Sequence, residues 1–491
     1  MPAAIIITTS IEGRAMSAPS WSPRRGSRLL AGFALTALLS ACAGPVATSA
    51  FNEIAGQTED RIGQRPVWIR GDDEERQVRE TLNRLLSGPL DADAAVQVAL
   101  LNNRRLQADF TELGIGAAEL TSAWRPGNPG FSFGRLRRSG EIEIERAFTI
   151  DALSLLVLPI AAGIEERRFE QTKLDTASRI LALAAETRRA WFEAVTAEQT
   201  AAYVAQVRES AATQAELARR MRQAGNWSAL NYAREQLFYA EATARLARSR
   251  MAATAAREKL ARLMGLWGAD TAFTLPARLP ELPAEPRTVA NIEAKAMSER
   301  LDIRMAQANL AGLRKAYGLT SATRFINVLE AGFVRNSESG RSDQTGYEIS
   351  IEIPLFDFGD AKSTQAENRY MQAVHRLAET AVNARSAARE TYLDYRTAYD
   401  LARHYSTEIL PLRQKISEEM LLRYNGMLVS VFDLLADARD QIADVSTALE
   451  AQRDFWIADT NLTYVTLAAV EGNAPAAGNG LFAARSGAAG H

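Results

Sequence analysis

Cysteine is all but missing from these 491 residues: there is one, Cys42, so no internal disulfide can form. Histidine is nearly as scarce. His375, His404 and His491 are the only three, none shares a ligand spacing with the cysteine, and the first two read as ordinary helix residues. Net charge is close to zero, formally −2, which argues against nucleic acid as a main partner. Gly114-Ile-Gly116 lacks the third glycine of a dinucleotide fingerprint, and neither a phosphate loop nor a nucleophile elbow occurs. The ten methionines are scattered rather than clustered. No catalytic residue and no metal or cofactor site is expected. Long apolar runs are missing too. After Cys42 no stretch of about twenty apolar residues occurs, so a transmembrane helix is not expected and a bilayer would have to be crossed by strands.

The chain opens on a targeting signal over residues 1–41. Arg24, Arg25 and Arg28 form a positive region, Leu29 to Leu39 a short apolar core, and Leu39-Ser40-Ala41-Cys42 follows at once. Met16 is an alternative start to Met1, because residues 1–15 add nothing a signal needs. The ending resembles a bacterial lipobox, in which Cys42 becomes the lipidated first residue, and uncharged Ala43 resembles lipoproteins passed to the outer membrane. From there to residue 90 the composition is mixed and polar without a sustained period, and an extended tether is expected over 42–90.

The remainder reads as a tandem duplication of roughly two hundred residues, over 91–275 and 276–472. Ala99 to Ala108 is echoed by Ala296 to Met305, and Arg222-Gln-Ala-Gly225 by Arg423-Tyr-Asn-Gly426. Ser228 matches Ser430, Asn231 matches Asp433, and Gly268 and Gly472 each close a helix. Each half is expected to run helix, strand pair, very long helix and return helix. The first helices cover 91–123 and 289–319, and the strand pairs 130–137 with 141–150 and 325–335 with 346–353. The long helices cover 164–224 and 360–425, and the return helices 228–266 and 430–470. A sixty-residue helix is roughly 90 Å long, which suits a coiled assembly. Ala373, Leu377, Ala381, Ala384, Ala388, Tyr392, Tyr395, Tyr399 and Ala402 recur in steps of three and four as its packing face. Pro411 should bend or locally open the second long helix. Prolines 276, 280, 283 and 286 mark the linker between halves, and the Gly- and Ala-rich tail, 473–491, reads as disordered.

The most distinctive stretch is Tyr347 to Gly359, YEISIEIPLFDFG. Tyr347, Ile349, Ile351 and Ile353 alternate with Glu348, Ser350 and Glu352, a strand with one apolar and one polar face. That pattern suits either a half-buried edge strand or a barrel wall between lipid and water.

Together, Ile353-Pro-Leu-Phe-Asp-Phe-Gly359, the turn Arg423-Tyr-Asn-Gly426 with Ser430 and Leu434, and the duplicated plan resemble the TolC family of outer membrane efflux proteins, in its lipoprotein branch. The resemblance covers about Leu90 to Gly472. Leu153 to Gly163, LSLLVLPIAAG, departs from it by replacing the usual Phe-Gly ending. The implied fold is mainly α with a membrane β-barrel: a homotrimer whose protomers each give four strands to a shared barrel and their helices to a periplasmic tube. The implied function is a passive exit duct, coupled through a periplasmic adaptor to an inner-membrane pump. The rival reading is a lipid-anchored helical adaptor or scaffold without a pore. The resemblance places adaptor contact at the two helix turns, with Arg222, Gly225, Ser228, Arg423, Gly426 and Ser430; read alone, those residues are also good turn formers. Finally, Asp433, Asp437, Asp440 and Asp444 share one helical face. Like charges so spaced destabilise a helix, so the stripe is either a solvated outer face or a set of carboxylates facing the tube interior near its mouth.

Overall fold

The computed structural model describes residues 43–138, 141–323, 325, 328–352 and 358–469. The signal, Cys42, residues 139–140 and 353–357, Gly472 and the tail lie outside the described residues.

The expected extended tether is instead helical. Helices α1 (Ala43–Ile62) and α2 (Asp72–Leu86) lie on the body. In α1, Ala47, Ala50, Phe51, Ile54, Ala55 and Thr58 are buried at steps of three and four, an apolar stripe that the surrounding polar composition masked. Phe51 meets Phe110 edge-on at 5.0 Å, inside a core that also holds Leu106, Leu113, Leu174 and Ile180.

The first expected helix is two, α3 (Ala92–Asn102) and α4 (Arg104–Ala123), broken at Asn103. Its counterpart breaks at the matching place, into α7 (Ile292–Glu299) and α8 (Leu301–Thr323) around Arg300. Each break is tied to the end of its own return helix. Asn102 and Asn103 donate to the carbonyls of Met264, Gly265 and Leu263 at 2.8–3.1 Å, and Arg300 donates to the Val465 carbonyl at 3.0 Å. The duplication therefore repeats not only elements but a joint.

Strands β1 (Gly130–Arg138), β2 (Glu141–Asp151), β3 (Leu329–Glu338) and β4 (Gln344–Ile351) form one antiparallel sheet in chain order. The β2–β3 pairing joins the two halves. The second strand pair sits a few residues from its expected bounds, with Gly340 at φ +81 in its turn.

The long helix α5 (Ala152–Gln223) starts a full twelve residues before the expected 164. Asp151 caps it, accepting from the Ser154 amide at 2.9 Å, so Leu153 to Gly163 extends the helix rather than the hairpin. Return helix α6 (Ala229–Leu263) closes through Gly265, not Gly268. Gly265 has φ +65, and a Cβ there would lie 2.7 Å from the Asn102 carbonyl oxygen.

The second long helix runs as α9 (Asp360–His404), a π-turn over Tyr405–Ile409, and α10 (Leu410–Asn425). Pro411 does open it locally. It has no amide hydrogen, its ring crowds the carbonyl one turn back, and the turn it crowds is the widened one. The packing face reads true: Ala373, Ala384, Ala388, Tyr395, Tyr399 and Ala402 are buried. Tyr399 donates to the Ala284 carbonyl at 2.8 Å, and Trp456 to that of Pro280 at 3.1 Å, so the proline linker is fastened to the body. The final helix is α11 (Val431–Val465).

Candidate functional site

The chemistry of this chain lies at its two ends, the sheet and the helix turns. In the sheet, pairing aligns like with like. One face carries Phe131, Phe148, Phe333 and Tyr347 as an unbroken aromatic row across all four strands. Toward the helices follow Ile150, Ala331 and Ile349, then Leu329 and Ile351. These side chains are exposed: Phe131 by 70%, Phe333 by 55% and Tyr347 by 85%. The opposite face carries Glu143, Glu145, Glu330, Glu338 and Glu348 with Ser132 and Ser350. A continuous exposed aromatic face of this kind marks a surface that contacts another protein or a membrane. Strands β1 and β4 each have one unpaired edge.

Below the sheet, α5 begins with Ala152 to Ile164, thirteen residues without a charge. Leu155, Leu156 and Ile160 are exposed there by 44%, 69% and 43% on one side of the helix. Helix α1 ends its upper turns here as well, with Ala47 and Ala50 packed on Ala117 and Phe169. Since Phe51 meets Phe110 and Ala47 meets Ala117, α1 runs antiparallel to α4, and its start points toward the sheet. Cys42 itself lies outside the described residues; Ala43 opens α1. Among the described residues no helix is long and apolar enough to cross a membrane, and no group of His, Cys, Asp and Glu could hold a metal ion.

At the far end, Ser228 and Ser430 cap the return helices, accepting from the amides of Asn231 at 3.1 Å and Asp433 at 3.3 Å. The two turns are otherwise unlike. Gly225 has φ +75, as a left-handed helix stop requires, but Gly426 has φ −79 and does not. The left-handed residue of the second turn is Met427, φ +59 and 93% exposed. Although the two glycines match in sequence, the second helix runs one residue further and Met427 takes the strained position. Arg222 is used within its own turn, donating to the Trp227 carbonyl at 3.0 Å, and Arg423 stands near Glu419 at 3.9 Å.

The aspartate stripe is resolved into separate roles. Asp433 completes a capping box: the Ser430 amide and hydroxyl donate to its Oδ2 at 2.9 and 2.6 Å, which holds its carboxyl below the usual range. Asp437 is buried, accepting from the Ser417 hydroxyl at 2.7 Å and facing Arg413 at 3.4 Å. Asp444 meets Arg413 at 2.5 Å. Asp440 stays exposed. The compensation that the sequence demanded is Arg413, across the hairpin on α10. Reflecting Asp437 through the turn at Met427 lands on Ser417, and carrying the reflection one more turn reaches Arg413, so hairpin arithmetic would have found both. At the place matching Asp437, the first half has Glu235. It is buried, its Oε2 has no hydrogen-bond partner among the described residues, and burial pushes its carboxyl up against the opposing pull of Arg439.

No family model matches the chain, and no curated protein matches it in sequence. Solved structures do match in shape. The CmeC outer membrane channel of Campylobacter jejuni aligns with a TM-score of 0.68 at 15% identity, covering 80% of this chain and 87% of that one. The outer-membrane channel OprN gives 0.64 at 17%, covering 82% and 93%. The MtrE outer membrane channel of Neisseria gonorrhoeae, in its open state, gives 0.62 at 17%, covering 76% and 88%. The fold is thus that of outer membrane channels, mainly helical with a four-stranded share of a β-barrel, as the sequence resemblance implied.

Proposed function

We propose that this chain is the outer membrane exit duct of a tripartite efflux system, a homotrimer that carries cargo passively out of the periplasm. The observation that carries the reading is the sheet. Its exposed face is apolar and aromatic, its other face is acidic, and both edges are open, a state too costly in lipid unless neighbouring copies close it. Three copies would give twelve strands, with the carboxylate face toward water. The apolar opening of α5 extends the lipid-facing belt below the strands. Helix α5 packs against α4 and α8 of its own protomer and leaves these leucines exposed.

A lipid anchor on Cys42 is supported by the direction of α1, whose first described residue, Ala43, opens a helix that starts toward the sheet. The tips support docking of a periplasmic adaptor, which links the duct to an inner-membrane pump. Met427 and Leu428 stand exposed there by 93% and 77%, and a strained residue at an exposed tip is the kind of feature a partner surface retains. Of the stripe, Asp433 and Asp440 are the exposed members that line the duct near this mouth.

The test is reconstitution of the full chain in planar bilayers. A duct gives stable, cation-preferring conductance from heat-modifiable trimers, and Asp433→Asn with Asp440→Asn weakens that preference. A lipid-anchored scaffold gives no conductance. In cells, Cys42→Ser should abolish incorporation of labelled palmitate, and label retained by the variant would overturn the anchor alone.

A further inference from the structure

The apolar face of the sheet changes character abruptly toward the hairpin turns. Beyond the aromatic row comes Phe133–Arg146–Arg335–Thr345, then Arg135–Ile144–Ser337, then Arg137–Ile142. Four arginines thus share this face with the aromatics, and no strand carboxylate does; those all project from the other side. The segregation follows from the step of two, because Arg135, Arg137, Arg146 and Arg335 fall in phase with Phe131, Phe133, Phe148 and Phe333.

Among the described residues, four guanidiniums on this face are met by a single carboxylate, Asp343 of the β3–β4 turn, which leaves the cluster with an excess of positive charge. Arg146 and Arg335 sit directly opposite one another on β2 and β3, a like-charge cross-strand pair whose repulsion Asp343 offsets only in part, one negative charge serving two positive ones. Arg135 adds a third charge from the next row. Arg335 is ion-paired with Asp343, its Nε and Nη2 donating to Oδ2 at 3.0 and 2.5 Å, and Arg146 donates to the Ser337 hydroxyl at 3.3 Å. Arg135 and Arg137 are exposed and have no ion pair among the described residues.

The level of these rows in the membrane decides what the anion is. A guanidinium on the lipid face is tolerated near an interface and disfavoured at the midplane. The uncharged rows on the strands span only from Leu329 to the aromatic row, too short for a hydrocarbon core by themselves. The uncharged start of α5, with exposed Leu155, Leu156 and Ile160, supplies the missing depth on the helix side. The whole apolar belt is therefore displaced toward the helices. The aromatic row then lies near the far boundary of the hydrocarbon, and the arginine rows lie in the headgroup layer beyond it.

We propose that Arg135, Arg137, Arg146 and Arg335 form a binding belt for anionic phosphate headgroups on the hairpin side of the bilayer, seating the barrel at a fixed depth. Guanidinium forks match phosphate oxygens two at a time, and the aromatic row below offers its faces to the first segments of the acyl chains. The proposal rests on the membrane-barrel reading.

The test uses detergent-purified full-length trimers titrated with phosphatidylglycerol or phosphatidylcholine of the same acyl chains, with bound lipid counted by native mass spectrometry. The wild type should retain phosphatidylglycerol on the order of tenfold more strongly. The quadruple variant Arg135→Gln, Arg137→Gln, Arg146→Gln, Arg335→Gln should lose that preference while keeping heat-modifiable trimers and conductance. If the quadruple variant fails to assemble, Arg135→Gln with Arg137→Gln, at the exposed end of β1, should still lower the preference severalfold. Arg146→Lys with Arg335→Lys should keep part of it, and Glu143→Gln with Glu145→Gln, on the opposite face, all of it. Equal retention of the two lipids by assembled wild-type trimers, or an undiminished preference in the arginine variants, overturns the belt. Inorganic phosphate that displaces the lipid at equal concentration would show a free-ion site instead and likewise overturn it. Failure of the wild type to form any channel removes the barrel reading itself, a different result from a channel without lipid preference.

Discussion

At the residue scale, the two helix turns look interchangeable in sequence, and the backbone separates them. Gly225 occupies φ +75, where a Cβ is strained whatever the space around it, so Gly225→Ala should cost about 1 kcal/mol or more. Gly426, at φ −79, meets no atom closer than 3.5 Å to a built Cβ, so Gly426→Ala should fall within about 0.5 kcal/mol of wild type. Met427→Gly should stabilise by about 1 kcal/mol, because it removes the left-handed penalty at a position with φ +59. Denaturant midpoints of the three variants check this ordering, and equal losses at both glycines would contradict it. Glu235 gives a prediction in pH. Its carboxyl is raised by burial, so the folded chain holds that proton more tightly than the unfolded one. Its contribution is greatest below the ordinary glutamate value and is lost as pH climbs from there through the raised value. Glu235→Gln, which keeps the neutral shape, should be more stable than wild type at pH 7 and flatten the stability profile across that window. An unchanged profile would show that Glu235 does not titrate differently on folding.

At the element scale, the hairpin of α10 and α11 is held by Arg413 between Asp437 and Asp444. Arg413 and Asp437 are largely shielded, so removing the cation leaves a buried carboxylate without its partner. Arg413→Ala should cost about 2–3 kcal/mol, less than a fully buried pair because Asp444 is half-exposed. Asp437→Asn with Asp444→Asn in the Arg413→Ala background should recover most of it, as measured by a double-mutant cycle. Independent, additive losses would mean that the three do not act together. Much of this element was legible in advance. The long helices, their alanine and tyrosine face, the effect of Pro411 and the four strands all follow from local period and breaker residues. What escaped was set by contacts distant in sequence. The breaks at Asn103 and Arg300 exist because those side chains reach the ends of α6 and α11, more than a hundred and fifty residues on. Helix α1 escaped because its apolar stripe is mostly alanine, which carries little hydrophobic signal until it is seen packed. Leu153 to Gly163 was set aside as a departure from the hairpin pattern, whereas a capping Asp151 and an apolar run already signal a helix start.

At the scale of the whole molecule, the open edges of the sheet demand partners, and chain order says which. Strands β1 and β4 lie at opposite sides of the sheet, with β2 and β3 between them. Three inter-strand steps separate them by roughly 14 Å within one protomer, about twice the reach of a disulfide. A cysteine on β1 and another on β4 therefore cannot join within one chain, but can join between chains if β1 of one copy pairs with β4 of the next. Ser132 and Ser350 both project from the carboxylate face, away from the aromatic belt, so Ser132→Cys with Ser350→Cys tests this without disturbing the lipid side. The single native cysteine, Cys42, lies far from both in sequence and is the residue expected to carry lipid. Because the register across the seam is a property of the assembly, Gly346→Cys and Glu348→Cys, at neighbouring positions on the same face of β4, are paired with Ser132→Cys in parallel. Oxidation in isolated membranes should give covalent dimers and closed trimers for at least one pairing, and neither for any single substitution. Covalent products that stop at dimers would indicate a two-copy contact that leaves an edge open, a state the bilayer does not tolerate. Monomers alone from every pairing would show that β1 and β4 never meet, and the shared barrel would have to be abandoned.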